Sequence, residues 1–284
     1  FKHYKACTKE GIKPILGCEL YIQKQNDEKE KYYHLTVLAL NKEGYSNLLK
    51  IVSEGWKTLA YGKPAVSLQF VIDNQKGLLI TSGCPSGRVC KLIGKNKLKE
   101  ARSLLIDLKE TIEHFYIEIS PWTYKEGNKL IPILYNLSLE LNIPLLATTD
   151  CHYVTKNQSI IQETLLCIQS NDRMDNPKRW KFDQNDFYLQ TREEMENNFK
   201  IAAPDFDFTS SLDNTVKIAN MVNFKFPEAS PLKFPISDEE KKILFHKLCV
   251  QGMEDRQLIN KEEYAKRMEY EFDLIVKKNY IDYF

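Results

Sequence analysis

Leu145-Leu146-Ala147-Thr148-Thr149-Asp150-Cys151-His152-Tyr153 is the stretch on which the reading of this chain turns. Its small and apolar opening predicts a buried strand. The stretch then ends in a carboxylate and an imidazole two residues apart. In an extended chain, residues i and i+2 point to the same face. Asp150 and His152 are therefore expected to converge, with Cys151 pointing away. A carboxylate and an imidazole at a buried strand end suit a metal site or an acid/base pair. They equally suit a capped turn, in which Asp150 bonds backbone and His152 lies in solvent. The rest of the chain has to decide.

Upstream, the pattern alternates between strand and helix. Residues 1–10 read as the tail of a helix ended by Gly11. Residues 13–22 and 33–40 read as strands joined by about ten polar residues, a spacing that allows a hairpin. Folding them back brings His34, at the start of the second, near Glu19, late in the first. Tyr45, Leu48, Leu49, Val52 and Trp56 keep helical spacing. Residues 77–82 read as a strand running into the turn Gly83-Cys84-Pro85-Ser86-Gly87, followed by a short helix over 88–93 and an amphipathic one over 95–110. Phe115-Tyr116-Ile117-Glu118-Ile119 reads as a strand, and 127–141 as the helix leading into the opening stretch. Crossovers of this length allow parallel pairing, which predicts an α/β barrel or an open parallel sheet.

After Tyr153 the character changes. Helices are expected over 157–169, from the capping-box start Thr191-Arg192-Glu193-Glu194 to Phe199, and over 209–222 with Thr209 or Ser210 as cap. Residues 170–186 read as polar and irregular. Pro227, Pro231 and Pro235 mark a linker and a domain boundary. Two charge-rich amphipathic helices are expected over 238–258 and 261–278.

The composition is that of a soluble globular protein: 284 residues, 43% hydrophobic, 28% charged, net charge +1. No apolar run approaches the roughly 18 residues a membrane span needs. Seven cysteines without a CxxC pair read as reduced and cytoplasmic. No signal peptide is read, and both ends, Phe1 and Phe284, read as cut from a longer chain.

If 13–153 is an α/β domain, ligands belong at its strand ends. Glu19, His34, Cys84, and Asp150 with His152 occupy such places. Each has a plainer alternative: a solvent-facing glutamate, a satisfied edge histidine, a packed cysteine. Cys90, Cys167 and Cys249 read as core, and His114 and His246 as lacking partners. The turn from Gly83 to Gly87 lacks the ending of a phosphate-binding P-loop. Lys178, Arg179, Trp180 and Lys181 suit either a phosphate backbone or a solvated loop.

Longer runs are more specific. GIKPILGCELYI, YYHLTVLALNKEGYSNLLKI, GLLITSGCPSG, PLLATTDCHYV, ETLLCIQSNDRMDNPKRWKF, FYLQTREEM and NTVKIANMVNF appear in this order. They resemble consecutive blocks of the PHP (polymerase and histidinol phosphatase) domain of bacterial replicative DNA polymerase III alpha subunits. The resemblance continues through PEASPLKFP and YAKRMEYEFDLIVKKNYIDYF, similar to that family's passage into the polymerase palm. It divides the chain into a PHP domain over 1–225, a proline-rich linker over 226–237, and a helical start of the palm and thumb region over 238–284.

The resemblance implies a distorted (β/α)7 barrel, here lacking its first strand, with a metal cluster at the strand ends. The family pattern falls on Glu19, His34, Cys84, Asp150 and His152. The implied metals are zinc, manganese or iron, with magnesium at a polymerase site further along. The family's first blocks, an HxH strand and a TDHG turn, belong before Phe1, and its catalytic aspartates beyond Phe284. The implied activity is template-directed DNA synthesis in the parent. For this segment it implies a 3′–5′ exonuclease or a structural role. A stand-alone PHP phosphoesterase and a non-catalytic bracing or docking domain are the alternatives. Implied partners are primer-template DNA, deoxynucleotides, the sliding clamp and the clamp loader, with no membrane.

Overall fold

The computed structural model describes residues 1–24, 31–60, 62–121, 125–182, 184–226 and 232–284, with the side chains of 125–128 set aside. Most of the polar loop before the second strand (25–30) and much of the proline-rich linker (227–231) thus lie outside the described residues.

The chain opens with α1 (Lys2–Lys9), and Gly11 follows it at φ +70°. Strands β1 (Gly17–Gln23) and β2 (Tyr32–Ala39) then pair antiparallel, with Tyr21 opposite His34 and Glu19 opposite Thr36. One face of this pair is buried through Leu20, Ile22, Tyr33, Leu35 and Val37. The other, half-open face carries Glu19, Tyr21, His34 and Thr36. Strict alternation fixes this register, because a slip of one residue would bury the polar set.

Helix α2 (Lys42–Lys57) starts at Asn41, whose side chain accepts a hydrogen bond from Gly44 N at 3.0 Å. Strands β3 (Leu59–Ala60) and β4 (Lys63–Val66) and helix α3 (Leu68–Asp73) follow, in a stretch where the sequence reading placed no element. Next come β5 (Leu78–Thr81), α4 (Arg88–Gly94), α5 (Leu98–Thr111), β6 (Phe115–Ile119), α6 (Lys125–Leu141) and β7 (Leu145–Ala147).

All seven strands form one sheet in the order β3-β4-β1-β2-β5-β6-β7. The α/β class holds, and β5, β6 and β7 are parallel with helical crossovers, as the spacing predicts. The other half is mixed: β1–β2, β2–β5 and β3–β4 are antiparallel, while β1–β4 is parallel. β1–β2 and β3–β4 are joined by short connections, which return a strand antiparallel, whereas β2 and β5 pair antiparallel although α2, β3, β4 and α3 lie between them in the chain.

Among the described residues, β7 pairs on one side only. Its other side is met by α9 (Thr209–Met221), where buried Asn214 donates from Nδ2 to the Leu145 carbonyl at 2.7 Å. A side chain thus satisfies a backbone acceptor on an open edge. Helix α9 is capped by neither of its own hydroxyls. Asp207 accepts from Thr209 N at 2.9 Å and Thr209 Oγ1 at 2.6 Å instead. A 3-10 turn (Lys156–Gln158), α7 (Ser159–Ser170) and α8 (Arg192–Ala202) lie between β7 and α9. Helix α8 carries the expected capping box of Thr191 and Glu194.

The chain divides into two compact units, 1–225 and 226–284. In the second, α10 (Asp238–Asp255) and α11 (Glu262–Lys277) pack together through Phe245 and Phe272, whose rings stack at 5.5 Å. Buried Lys241 lies 3.0 Å from both Asp238 and Asp282 there. His246 is not partnerless as its surroundings in sequence suggest: Nε2 sits 2.9 Å from Glu269 Oε1 across the two helices. No described helix is long and apolar enough to cross a membrane. All seven cysteines are free.

Candidate metal centre

The β1–β2 hairpin delivers the first two polar side chains. Glu19 and His34 are diagonal neighbours on the half-open face, within reach for long side chains. His34 Nδ1 lies 2.7 Å from Glu19 Oε1. That hydrogen bond holds the Glu19 carboxyl below the usual carboxylate range, against the opposing effect of its partial burial.

Cys84 arrives from the turn after β5. His34 N donates to the Ser86 carbonyl at 3.2 Å, which laces this turn to β2. Gly83 sits at φ +78°, and a Cβ there would lie 2.5 Å from the His34 carbonyl oxygen. Only glycine allows both that backbone conformation and that approach. Cys84 Sγ consequently lies 3.5 Å from His34 Nδ1. Burial pushes its thiol well up, and Glu19, Asp150 and Glu118 add to the rise through their charge.

Asp150 and His152 reach the same region by a different route from the one the sequence suggests. β7 ends at Ala147, and Asp150 takes a left-handed conformation at φ +47°. The extended i, i+2 geometry therefore does not apply. A turn brings the two together instead, with His152 Nδ1 donating to the Asp150 backbone carbonyl at 2.6 Å. A carbonyl oxygen only accepts, so the hydrogen is on Nδ1 and Nε2 keeps its lone pair when the ring is neutral. This is the arrangement in which metal-binding histidines are usually oriented. His152 N also donates to the Phe187 carbonyl at 2.8 Å, and the ring packs edge-on against Phe182 and Phe187 at 5.0 and 5.5 Å. Burial raises the Asp150 carboxyl; His152 and His34 oppose this, and Glu19 adds to it. Asp150 and His152 stand outside the group of donors that meet directly; the charge of Asp150 adds to the rise at Cys84, and that of His152 helps to lower Glu19.

Glu19, His34 and Cys84 each offer a donor atom, and these atoms lie within 4.8 Å of one another. Nitrogen, oxygen and sulfur donors together suit zinc, iron or manganese better than calcium or magnesium. Donors around a tetrahedral ion at about 2.1 Å stand about 3.4 Å apart. The Cys84–His34 separation of 3.5 Å already meets this, and the Glu19–His34 pair at 2.7 Å has to open by less than an ångström. The residues fit a divalent metal.

One group near this centre is not singled out by the sequence. Glu118, on β6, is 4% exposed. Its signal was present: a lone carboxylate in the apolar run FYIEI. By contrast, the basic cluster after α7 is not one surface. Arg179 is mostly buried in an ion pair with Glu163, while Lys178, Trp180 and Lys181 are exposed.

Residues 1–121 match the PHP domain family. Within that class the chain is homologous to DNA polymerase III subunit alpha. It is 32% identical to the subunit of Treponema pallidum over 99% of this chain. It is 29% identical to that of Borreliella burgdorferi over 100%, and 32% identical to that of Thermus aquaticus over 82%. The chain spans about a quarter of the length of these curated relatives, covering 24%, 25% and 20% of them.

Proposed function

We propose that the chain is the PHP segment of a cytoplasmic replicative DNA polymerase and that Glu19, His34, Cys84, Asp150 and His152 bind divalent metal ions in it. The observation that carries this is the meeting of Glu19, His34 and Cys84 donor atoms, from two strands and a turn, within 4.8 Å. The relatives' name supports the setting: DNA synthesis on primer-template DNA from deoxynucleotides, alongside replisome subunits such as the sliding clamp and clamp loader.

The reaction this centre suits best is phosphodiester hydrolysis at a DNA 3′ end. Its chemistry is Lewis-acid polarisation of the phosphate and a hydroxide at neutral pH. Glu19 and Asp150 supply negative charge, and the carbonyl of Asp150 holds His152 with Nε2 free. A second reading, a structural metal bracing the sheet, is favoured by the burial of Cys84.

Titration of the complete polypeptide with Zn²⁺ and Mn²⁺, together with shortening of a 5′-labelled primer, separates the two. The expected result is metal-dependent shortening, reduced at least about 100-fold by His34→Ala, since even supporting residues of metal sites matter 10- to 100-fold. Metal uptake that raises the melting temperature without any shortening would leave only the structural reading. Absence of metal uptake would sink both.

A further inference from the structure

Glu118 is buried in the sheet, yet no part of the proposed chemistry uses it. Its Oε2 accepts from Thr81 Oγ1 at 2.5 Å and its Oε1 from Thr148 Oγ1 at 3.0 Å. Thr36 also hydrogen-bonds to it. Its own backbone N donates to Ser82 Oγ at 3.0 Å. A buried carboxylate costs free energy that a buried apolar side chain of similar shape would not. The partners show what it gives in return. Thr36 lies on β2 two residues after His34, and Thr81 ends β5 three residues before Cys84. Thr148 follows β7 two residues before Asp150.

The threonines extend the connection to the donors. Gly83 N donates to Thr81 Oγ1 at 3.1 Å, so the turn that carries Cys84 starts from a hydroxyl held by Glu118. Thr148 Oγ1 also meets Ser120 Oγ at 2.9 Å, which ties β6 to the approach to Asp150. Resting on the metal reading above, we propose that Glu118 is the positioning residue of the centre. It aligns the middle of β2 with the ends of β5 and β7 through Thr36, Thr81 and Thr148, so that His34, Cys84 and Asp150 face one ion.

The test uses the complete polypeptide, with Mn²⁺ affinity by calorimetry and the Co²⁺ absorption spectrum as a report of coordination. Glu118→Ala is expected to weaken Mn²⁺ binding at least about tenfold and to change the Co²⁺ spectrum, the usual size of an outer-sphere effect. Glu118→Gln keeps one acceptor and adds a donor that a threonine hydroxyl can take. It is expected to restore the wild-type Co²⁺ spectrum. A merely structural role would lower the melting temperature and leave the spectrum of the folded protein unchanged. A folded Glu118→Ala variant with wild-type affinity and spectrum overturns the assignment. If that variant does not fold, Thr148→Val decides. Weaker Mn²⁺ binding supports the assignment, and equal binding overturns it. A wild-type protein that takes up no metal overturns the underlying metal reading, a result distinct from an indifferent Glu118.

Discussion

The two sides of the candidate metal centre are built by different means. On one side, Glu19 and His34 sit on paired strands, and Cys84 is pinned to His34 by the turn at Gly83. On the other, Asp150 and His152 follow a three-residue strand, and a left-handed residue turns them toward the site. The first side inherits its geometry from backbone ladders that repeat every two residues. The second depends on single hydrogen bonds: Asn214 to Leu145 and His152 to the Asp150 and Phe187 carbonyls. A ladder spreads a perturbation over many bonds. A turn held by single bonds yields when one of them is lost.

The largest expected effect on this contrast comes from the side with the ladder, at its one tight point. Gly83→Ala places a Cβ 2.5 Å from the His34 carbonyl and a side chain at φ +78°. Strain of this kind costs about 1–3 kcal/mol. Chemical denaturation should register that loss, and Mn²⁺ affinity should fall with it as Cys84 moves off His34. An alanine variant of wild-type stability and affinity would show that the turn is not what sets the Cys84–His34 distance.

A similar loss of stability, without the direct displacement of a donor atom, is expected on the other side from Asn214→Ala. It leaves the Leu145 carbonyl, at the open edge of β7, without its partner. An unsatisfied buried acceptor costs about 1–3 kcal/mol. Because Leu145 heads the strand that leads to Asp150, hydrogen exchange should rise in 145–152 before it rises in the β1–β2 pair. Uniform exchange across both sides would erase the distinction drawn here.

The same contrast explains what could be read in the sequence. Strands read over 13–22 and 33–40 with a short polar connection allow a hairpin, and the hairpin found there brings Glu19 to His34. Apolar runs with helical crossovers located β5, β6 and β7. The antiparallel pairing of β2 with β5 has no local signal, and the short β3 and β4 are not legible, because two to four residues carry no period. Strand alternation predicts that Asp150 and His152 converge; in the structure they are neighbours through a turn instead. Glu118 is not singled out by the sequence, where one carboxylate in a strand has no local sign of burial. Its burial follows from hydroxyls on three other segments, which no local pattern displays.

Asp150 gives the finest test, because backbone and side chain there make opposite demands. At φ +47° an aspartate carries strain that glycine does not, while glycine adds freedom to the unfolded chain. These two terms are of similar size, so Asp150→Gly is expected to shift stability by no more than about 0.5 kcal/mol. The His152 hydrogen bond goes to the backbone carbonyl of residue 150, so it survives the substitution. What disappears is the carboxylate alone. If Asp150 serves a metal, Mn²⁺ affinity should drop while the melting temperature holds. If it only caps a turn, the opposite follows: stability falls with the lost side chain and metal affinity is untouched. Measuring both on one variant decides whether the turn side of the centre contributes a ligand or only a support.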